Sequence, residues 1–206
     1  INVNYPDKFG IKDRLRNNAE HNPDFLDLTL KSYELLSLLQ NEKLAITESL
    51  RVNKNVSIFD HQIRAAQRIK NDFGGSALLS DEVGLGKTVE AGIIIKEFIV
   101  TSLAKKVLIL APPSLLPQWQ DEMMSKFNLD FVSQKGDSRF VNVFSHDLLL
   151  MSHSSAVFPN YSESLKDTFW DILVVDEAHS MKNPSTRKHQ LVKNLSKRHL
   201  LLLSAT

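Results

Sequence analysis

The sequence has 206 residues, of which 42% are hydrophobic and 24% are charged, so the chain can bury one sizeable core. Its 25 basic and 24 acidic residues give a formal net charge of +1, so any contact with nucleic acid must come from a local surface. The absence of cysteine excludes disulfides and thiolate metal sites, and no apolar run approaches the roughly 18 residues that a membrane span needs.

The N-terminal region, residues 1–55, carries no motif that indicates a function. It lacks the basic-then-apolar layout of a secretory signal, so we expect a protein that works inside the cell. Leucines recur with a moderate helical period between residues 26 and 39, and this pattern predicts one or two helices. We therefore predict an N-terminal helical extension over residues 1–55 and a main domain over residues 56–206.

From about residue 57 onward, short apolar runs alternate with longer segments of helical character. Strands separated by helices need right-handed crossovers, and such crossovers give a mostly parallel sheet with helices on both faces. The sequence thus predicts an α/β fold. Asn160 and the serines around it also predict an exposed loop. The predicted strands cover residues 77–79, 107–110, 141–144, 172–175 and 200–203.

A glycine-containing turn after the first predicted strand has the features of a phosphate-binding loop. Gly84 and Gly86 can turn successive N–H groups toward a phosphate, and the following helix adds its positive N-terminal end. Lys87 is then expected to reach the β- and γ-phosphates, and Thr88 to hold Mg²⁺. Asp81 stands where the strict pattern has glycine, and a plain turn before a helix is the alternative. The residues predicted to bind nucleotide are Val83, Gly84, Leu85, Gly86, Lys87, Thr88 and Val89.

Two carboxylates follow the strand predicted at residues 172–175. At the carboxyl end of a parallel strand they stand where ligands bind in open α/β sheets. Asp176 is expected to contact the Mg²⁺ shell, and Glu177 to orient and deprotonate the water that attacks the γ-phosphate. Such a pair taken singly is more often part of a solvated loop. Its order and spacing after Gly-Lys-Thr favour an ATP hydrolase in which Lys87 is a third catalytic residue.

These motifs resemble those of superfamily-two ATPases, in which a RecA-like P-loop lobe binds ATP and Mg²⁺. Asp-Glu-Ala-His at residues 176–179 has the spelling of that superfamily, and Ser-Ala-Thr at residues 204–206 resembles its coupling motif. The resemblance implies that His179, a further catalytic residue, lies near Ser204 and Thr206 and connects them to the γ-phosphate. A purely structural histidine is the alternative.

One segment is similar to the form of motif Ia found in Swi/Snf double-stranded-DNA translocases. Gln118 and Trp119 are followed three residues later by Glu122, as in that group. The resemblance implies a DNA-facing loop that includes Pro113 and Ser114. We expect Trp119 itself to be a buried residue that holds the following helix in place.

Further segments indicate which group within the superfamily this sequence resembles. Residues 141–149 are similar to the strand and turn of motif Ib, which implies that Ser145 contacts DNA, although His146 stands where the group commonly has Tyr. Lys182-Asn183 is typical of Swi/Snf proteins and not of DEAH-box RNA helicases. Eukaryotic remodellers usually have Met at the position of Val83. The spelling of this loop therefore resembles more closely the prokaryotic branch that recycles RNA polymerase. Gln62 resembles an adenine-binding glutamine, although glutamine is also common on the surface near a helix start.

The resemblance covers about residues 57–206 and implies a DNA-dependent ATPase that moves along duplex DNA in the prokaryotic cytoplasm, close to the nucleoid. It also implies a second RecA-like lobe of the same parent protein, which contributes arginines to hydrolysis, so this first lobe alone should bind nucleotide weakly and hydrolyse it poorly. An RNA helicase lobe and an ATP-sensing module of a restriction or phage-defence complex are the alternatives. Pairs of basic residues occur at 105–106, 187–188 and 197–198. They could contact DNA phosphates, and the alternative is that they lie on solvated helix faces.

Overall fold

The computed structural model describes most of the chain from residue 58 onward. The chain divides into two units, Ile1–Glu42 and Lys43–Thr206, and all described residues except Lys31 belong to the second. Most of the predicted helical extension therefore lies outside the described residues, and the domain boundary at residues 55–56 stays a prediction. No helix in the described part of the chain is long and apolar enough to cross a membrane. The described residues are 31, 44–47, 58–80, 86–133 and 143–204.

The described strands form one six-stranded sheet in which every pairing is parallel. The strand order is β1-β6-β5-β2-β4-β3, so the chain crosses over the sheet between successive strands, as a parallel sheet requires. This arrangement confirms the predicted α/β class. The strands are β1 (Ala77–Leu79), β2 (Val107–Ala111), β3 (Val132–Ser133), β4 (Leu148–Ser152), β5 (Trp170–Val175) and β6 (Lys197–Leu203).

Helices cover both faces of this sheet, as predicted. Alternate residues of the central strand β5 point to opposite faces: Ile172 and Val174 belong to one buried core, and Leu173 and Val175 to the other. Helices α1 to α3 contribute to the first core and helices α4 to α6 to the second. The helices are α1 (Asp60–Asn71), α2 (Lys87–Val100), α3 (Leu116–Phe127), α4 (His153–Ala156), α5 (Pro159–Asp167) and α6 (Arg187–Asn194).

The strand predicted at residues 141–144 is wrong at Val143 and Phe144, and residues 141 and 142 lie outside the described residues. Val143–Ser145 is a 3-10 turn, and the strand lies further along the chain at β4, which pairs with β2 on one side and β3 on the other. A strand between two neighbours in a covered parallel sheet is buried on both faces, so the continuous apolar run of β4 suits it better than the alternating pattern at 141–144. The two-residue strand β3 was not predicted, because so short a segment carries no periodic pattern.

Asn160 is exposed as predicted, but the predicted loop is wrong, because these residues belong to α5. Pro159 is its first residue, a position that proline favours because its fixed φ suits the helix and its missing N–H has no intrahelical partner there. The helix buries Leu165 in the second core, and this burial outweighs the weak helix preference of its asparagine and serine residues.

His199, on β6, makes the stability of the fold depend on pH. Its Nδ1 atom lies 2.9 Å from the carbonyl oxygen of Gly74, and its ring meets the ring of Phe98 edge-on at 5.1 Å. Burial lowers the pKa of His199 below its ordinary value of 6.5, although the contact with the Gly74 carbonyl acts in the opposite direction.

Because folded His199 binds its proton less tightly than unfolded His199 does, the free energy of unfolding should decrease as the pH falls below 6.5 toward the folded-state pKa. In His199→Gln this contribution is lost, so the variant should lose less stability than the unchanged chain between about pH 7 and pH 5. Denaturant unfolding at a series of pH values measures this difference. Parallel pH profiles for the two proteins would contradict the prediction.

Candidate functional site

The carboxyl ends of four neighbouring strands bring most of the predicted site residues to one edge of the sheet. Leu79 of β1 pairs with Leu203 of β6, and Val175 of β5 pairs with both Leu202 of β6 and Leu110 of β2. The segments that follow these strands are therefore neighbours in space. In open parallel sheets this edge is where ligands bind.

Helix α2 begins at this edge directly after Gly86. Gly86 is the N-cap residue and has a left-handed backbone with φ of 85°, and its carbonyl accepts the N–H of Glu90 at 3.0 Å. Lys87 and Thr88 form the start of the helix and are half-buried, whereas the side chain of Val89 is buried in the core, so only its backbone N–H can face a ligand. A helix start presents N–H groups without intrahelical partners, and these groups suit a phosphate.

The other predicted loop residues cannot be placed in this way. Val83, Gly84 and Leu85 lie outside the described residues, as does Asp81. Their predicted contacts with phosphate stay predictions that rest on the sequence.

Gln62, on α1, packs against the start of α2. Its side chain is only 2% exposed, and its Oε1 atom accepts the backbone N–H of Phe59 at 3.1 Å. The Nε2 atom lies so close to Gly86 that a Cβ atom at that position would overlap it. Gln62 therefore packs against Gly86, the residue that precedes α2, and its contact with adenine stays a prediction.

Gly86→Ala should weaken nucleotide binding by about tenfold, because a left-handed backbone costs a residue with a Cβ atom roughly 1–2 kcal/mol. The new methyl group also meets Gln62, so the loop must shift to accommodate it. Titration with a fluorescent ADP analogue measures the loss. Gly74→Ala is the matched control, since Gly74 also has a positive φ of 60° but lies in an exposed turn. Equal affinities in the two variants would contradict the prediction.

Asp176 directly follows β5 and has a carboxylate that is held by two donors. The indole Nε1–H of Trp119 donates to Oδ2 at 2.8 Å, and the backbone N–H of Glu177 donates to Oδ1 at 2.8 Å. Asp176 is 9% exposed, and its own backbone N–H donates to Leu110 of β2 at 2.8 Å. The prediction that Trp119 is buried is confirmed, because its exposed fraction is 1%. The sequence did not indicate that its indole would contact Asp176.

The oxygen donors at this edge fit a magnesium ion. Each carboxylate oxygen of Asp176 has a lone pair beyond the one its donor uses, and Thr88 adds a hydroxyl at the start of α2. No group of three or more His, Asp or Glu side chains that could form a protein-only metal site occurs in the described ranges. Magnesium suits such a sparse set, because it usually binds one or two protein oxygens together with waters and substrate phosphates.

Glu177 has an unusual backbone and a histidine partner. Its φ of 49° is left-handed, a conformation that costs a non-glycine residue free energy and often occurs at functional sites. Its Oε2 atom lies 3.0 Å from Nδ1 of His179, and both side chains are partly exposed. Within the described residues Oε2 makes no hydrogen bond, so this contact is a close approach that does not by itself fix the carboxylate.

The predicted coupling residues are only partly placed. Ser204 follows β6 at the same edge, and its backbone N–H donates to Leu79 of β1 at 3.0 Å. Thr206 lies outside the described residues. The partner that the structure gives His179 is Glu177, so its predicted connection to Ser204 and Thr206 stays a prediction.

His153 is a residue of this site that the sequence did not indicate. It begins α4 directly after β4, is 4% exposed, and donates from Nε2 to the carbonyl of Leu110 at 3.0 Å. The same carbonyl accepts the N–H of Asp176, so His153 supports the strand junction from which Asp176 extends. Burial lowers the pKa of His153 below its ordinary value of 6.5, although the bond to Leu110 acts in the opposite direction. The sequence feature that could have identified His153 is the Ser-His pair at the end of the apolar run of β4.

The predicted DNA-facing residues do not all meet at one edge. Pro113 and Ser114 are exposed and lie in a 3-10 turn between β2 and α3, at the same edge as Asp176. Ser145 precedes β4, and the nearby carbonyl of Asp147 accepts the N–H of Val107, the first residue of β2, at 2.8 Å. Ser145 therefore lies at the opposite, amino edge of the sheet. The expected position of Ser145 after the end of a strand is wrong, because Ser145 precedes β4, and its contact with DNA stays a prediction.

Two of the three basic pairs also lie at the amino edge. Residues 105–106 immediately precede β2, and residues 197–198 begin β6. The Nζ atom of Lys197 donates to the carbonyls of Val192 and Leu195, and the guanidinium of Arg198 lies 3.8 Å from Asp171. These two pairs consequently form no common basic surface with the edge that carries Asp176.

Comparison with known proteins gives consistent similarities. The family model of the SNF2-related domain matches residues 28–206. The chain is 42% identical over 146 residues, 71% of its length, to an uncharacterized ATP-dependent helicase, YqhH, of Bacillus subtilis. It is 36% identical over 181 residues, 81% of its length, to the RNA polymerase-associated protein RapA of Yersinia pestis. A Sulfolobus solfataricus SWI2/SNF2 ATPase core in complex with dsDNA matches with a TM-score of 0.66 and 27% identity over 75% of the chain.

The chain corresponds to only part of each of these proteins. It spans 26% of the Bacillus protein, 19% of the Yersinia protein and 33% of the Sulfolobus structure.

Proposed function

Since the chain belongs to the SNF2-related domain family, we propose that it is the ATP-binding lobe of an ATPase that depends on double-stranded DNA and moves along it. The observation that carries the proposal is the placement of Asp176 and Glu177 at the sheet edge where α2 begins. A helix start that can bind phosphate, next to two carboxylates, is the arrangement that nucleotide hydrolysis requires.

Binding of ATP falls to the start of α2 and the loop before it. We assign phosphate binding to the backbone N–H groups from residue 86 onward, at the start of α2, and to the side chain of Lys87. Thr88 and Asp176 would hold Mg²⁺, which when bound neutralises charge on the β- and γ-phosphates. Gln62 keeps the end of the loop in position through its contact with Gly86.

Hydrolysis requires a base for the attacking water, and Glu177 is the candidate. Its side chain is partly exposed at the sheet edge, and its Oε2 atom lies 3.0 Å from Nδ1 of His179. Positive charge on the departing phosphate is the other requirement, and arginines usually provide it. We assign these arginines to a second RecA-like lobe of the same parent protein, so this lobe alone should hydrolyse ATP poorly.

Contact with DNA is assigned to the exposed turn at Pro113 and Ser114, beside the nucleotide edge. The Sulfolobus protein that matches this chain forms a complex with dsDNA, which supports duplex DNA as the partner. The bacterial relatives support a place in the bacterial cytoplasm, and the name of RapA makes RNA polymerase a candidate protein partner.

Steady-state ATP hydrolysis by the full-length protein tests the proposal. The rates with duplex DNA, single-stranded DNA and structured RNA are compared at one salt concentration, because phosphate contacts weaken as salt rises. We expect the largest stimulation with duplex DNA and none in Lys87→Ala. Stimulation by RNA alone would favour an RNA helicase, and nucleotide binding without any stimulation would favour an ATP-sensing module.

A further inference from the structure

The two buried tryptophans of the described chain bond to different kinds of acceptor. The indole N–H of Trp170 donates to a backbone carbonyl, that of Leu165, at 3.1 Å. The indole N–H of Trp119 donates to the carboxylate of Asp176 at 2.8 Å, across 57 positions of sequence. Both rings are almost fully buried, with exposed fractions of 0% for Trp170 and 1% for Trp119.

A buried indole N–H needs an acceptor, but a neutral carbonyl is enough, as at Trp170. At Trp119 the acceptor is a carboxylate, and hydrogen bonds to ionised groups are shorter and roughly twice as strong as neutral ones. The ring of Trp119 packs in the core together with Met123 and Phe127 of the same helix. Packing alone could be provided by another large ring, so the N–H has a separate effect, which is to fix Asp176.

The position of this donor also matters. Oδ1 of Asp176 is held locally by the N–H of the next residue, Glu177, and this bond alone leaves the carboxylate free to rotate. The bond from Trp119 fixes the second oxygen from another element, the first turns of α3. When both oxygens of Asp176 are hydrogen-bonded, the carboxylate plane cannot rotate. The lone pairs that remain for a ligand then point in fixed directions.

We propose that the indole N–H of Trp119 is a positioning group that orients the carboxylate of Asp176 for Mg²⁺. This inference rests on the proposed function, because it takes Asp176 as the carboxylate that faces the nucleotide-bound metal. Groups that orient the ligands of a metal typically change its affinity 10–100-fold when they are removed.

The test compares Trp119→Phe with its matched control, Trp170→Phe, in the full-length protein. Each change keeps an aromatic ring and removes one buried indole N–H. Binding of a fluorescent ADP analogue is titrated without Mg²⁺ and then across Mg²⁺ concentrations, in the absence of DNA. In Trp119→Phe we expect the Mg²⁺ concentration for half-saturation to rise about 10–100-fold. Its affinity for ADP without Mg²⁺, and both values in Trp170→Phe, should stay unchanged.

An unchanged Mg²⁺ requirement in Trp119→Phe would overturn the inference, and so would an equal increase in Trp170→Phe. If Trp119→Phe does not fold, β-(3-benzothienyl)alanine is incorporated at position 119, because it keeps the bicyclic shape and replaces the N–H by sulfur. The same increase in the Mg²⁺ requirement is then expected, and a normal requirement refutes the inference. Since this binding assay contains no DNA, it can fail while duplex stimulation of hydrolysis succeeds, and the reverse is also possible.

Discussion

Glu177→Gln should lower the rate of ATP hydrolysis by the full-length protein about 10²–10⁴-fold, which is the usual contribution of a general base. The amide keeps the size of the side chain but cannot accept the proton of the attacking water. The left-handed backbone and the N–H donated to Asp176 do not depend on the carboxylate, so the local fold should persist. Affinity for ADP should therefore change little. Steady-state hydrolysis and an ADP titration measure the two effects separately.

Glu163→Gln is the matched control for this variant, because Glu163 is an exposed carboxylate on α5 that takes no part in the site. Its rate should equal that of the unchanged protein. If Glu177→Gln retained a comparable rate, the assignment of Glu177 as the base would be wrong. If Glu177→Gln also lost affinity for ADP, Glu177 would be needed for the structure of the site and the loss of rate would not identify it as the base.

Lys70→Met should reduce the free energy of unfolding by about 3–5 kcal/mol, a typical cost of leaving a buried charge without its partner. Glu97, near the end of α2, is 0% exposed. Its carboxylate accepts the Nζ–H of Lys70 at 2.8 Å and the backbone N–H of Ile46 at 3.2 Å. Without Lys70 the carboxylate loses its positive partner while burial still keeps water away. Denaturant unfolding at neutral pH measures the loss.

Two controls separate this effect from the loss of a lysine as such. In the double variant Lys70→Met, Glu97→Gln the buried charge is absent and the amide oxygen can still accept from Ile46, so much of the stability should return. Lys105→Met removes an exposed partner of Asp147, an ion pair that should contribute no more than about 1 kcal/mol. The prediction fails if Lys70→Met costs no more than Lys105→Met.

The local motifs of the chain were predictable because each is encoded within a few residues. The family resemblance, based on the acidic motif at 176–179 and on Lys182-Asn183, is confirmed by the SNF2-related domain match. Three of the predicted strands overlap β2, β5 and β6, and the first coincides with β1. The individual roles of Lys87, Thr88 and the other site residues stay predictions.

The misplaced strand shows where local pattern is insufficient. Residues 141–144 and 148–152 both contain apolar residues and lie close together in sequence. Residues 148–152 join the sheet because they pair with β2 and β3, whereas Val143 and Phe144 lie in a 3-10 turn. Because of this error, Ser145 was expected at the carboxyl edge of the sheet, and His153 was not identified as a residue near the site. A shift of a few residues along a strand moves a side chain from one edge of the sheet to the other.

The sequence by itself determined the α/β class, the helix start after Gly86 and the acidic pair, since strand periodicity, turn glycines and motif spacing are all local properties. Only the tertiary structure decided the strand order, the bond from Trp119 to Asp176, the support from His153 and the pairing of Lys70 with Glu97. Each of these contacts joins residues from different elements. They form because buried polar groups must find partners wherever packing places them, and neither periodicity nor spacing records that requirement.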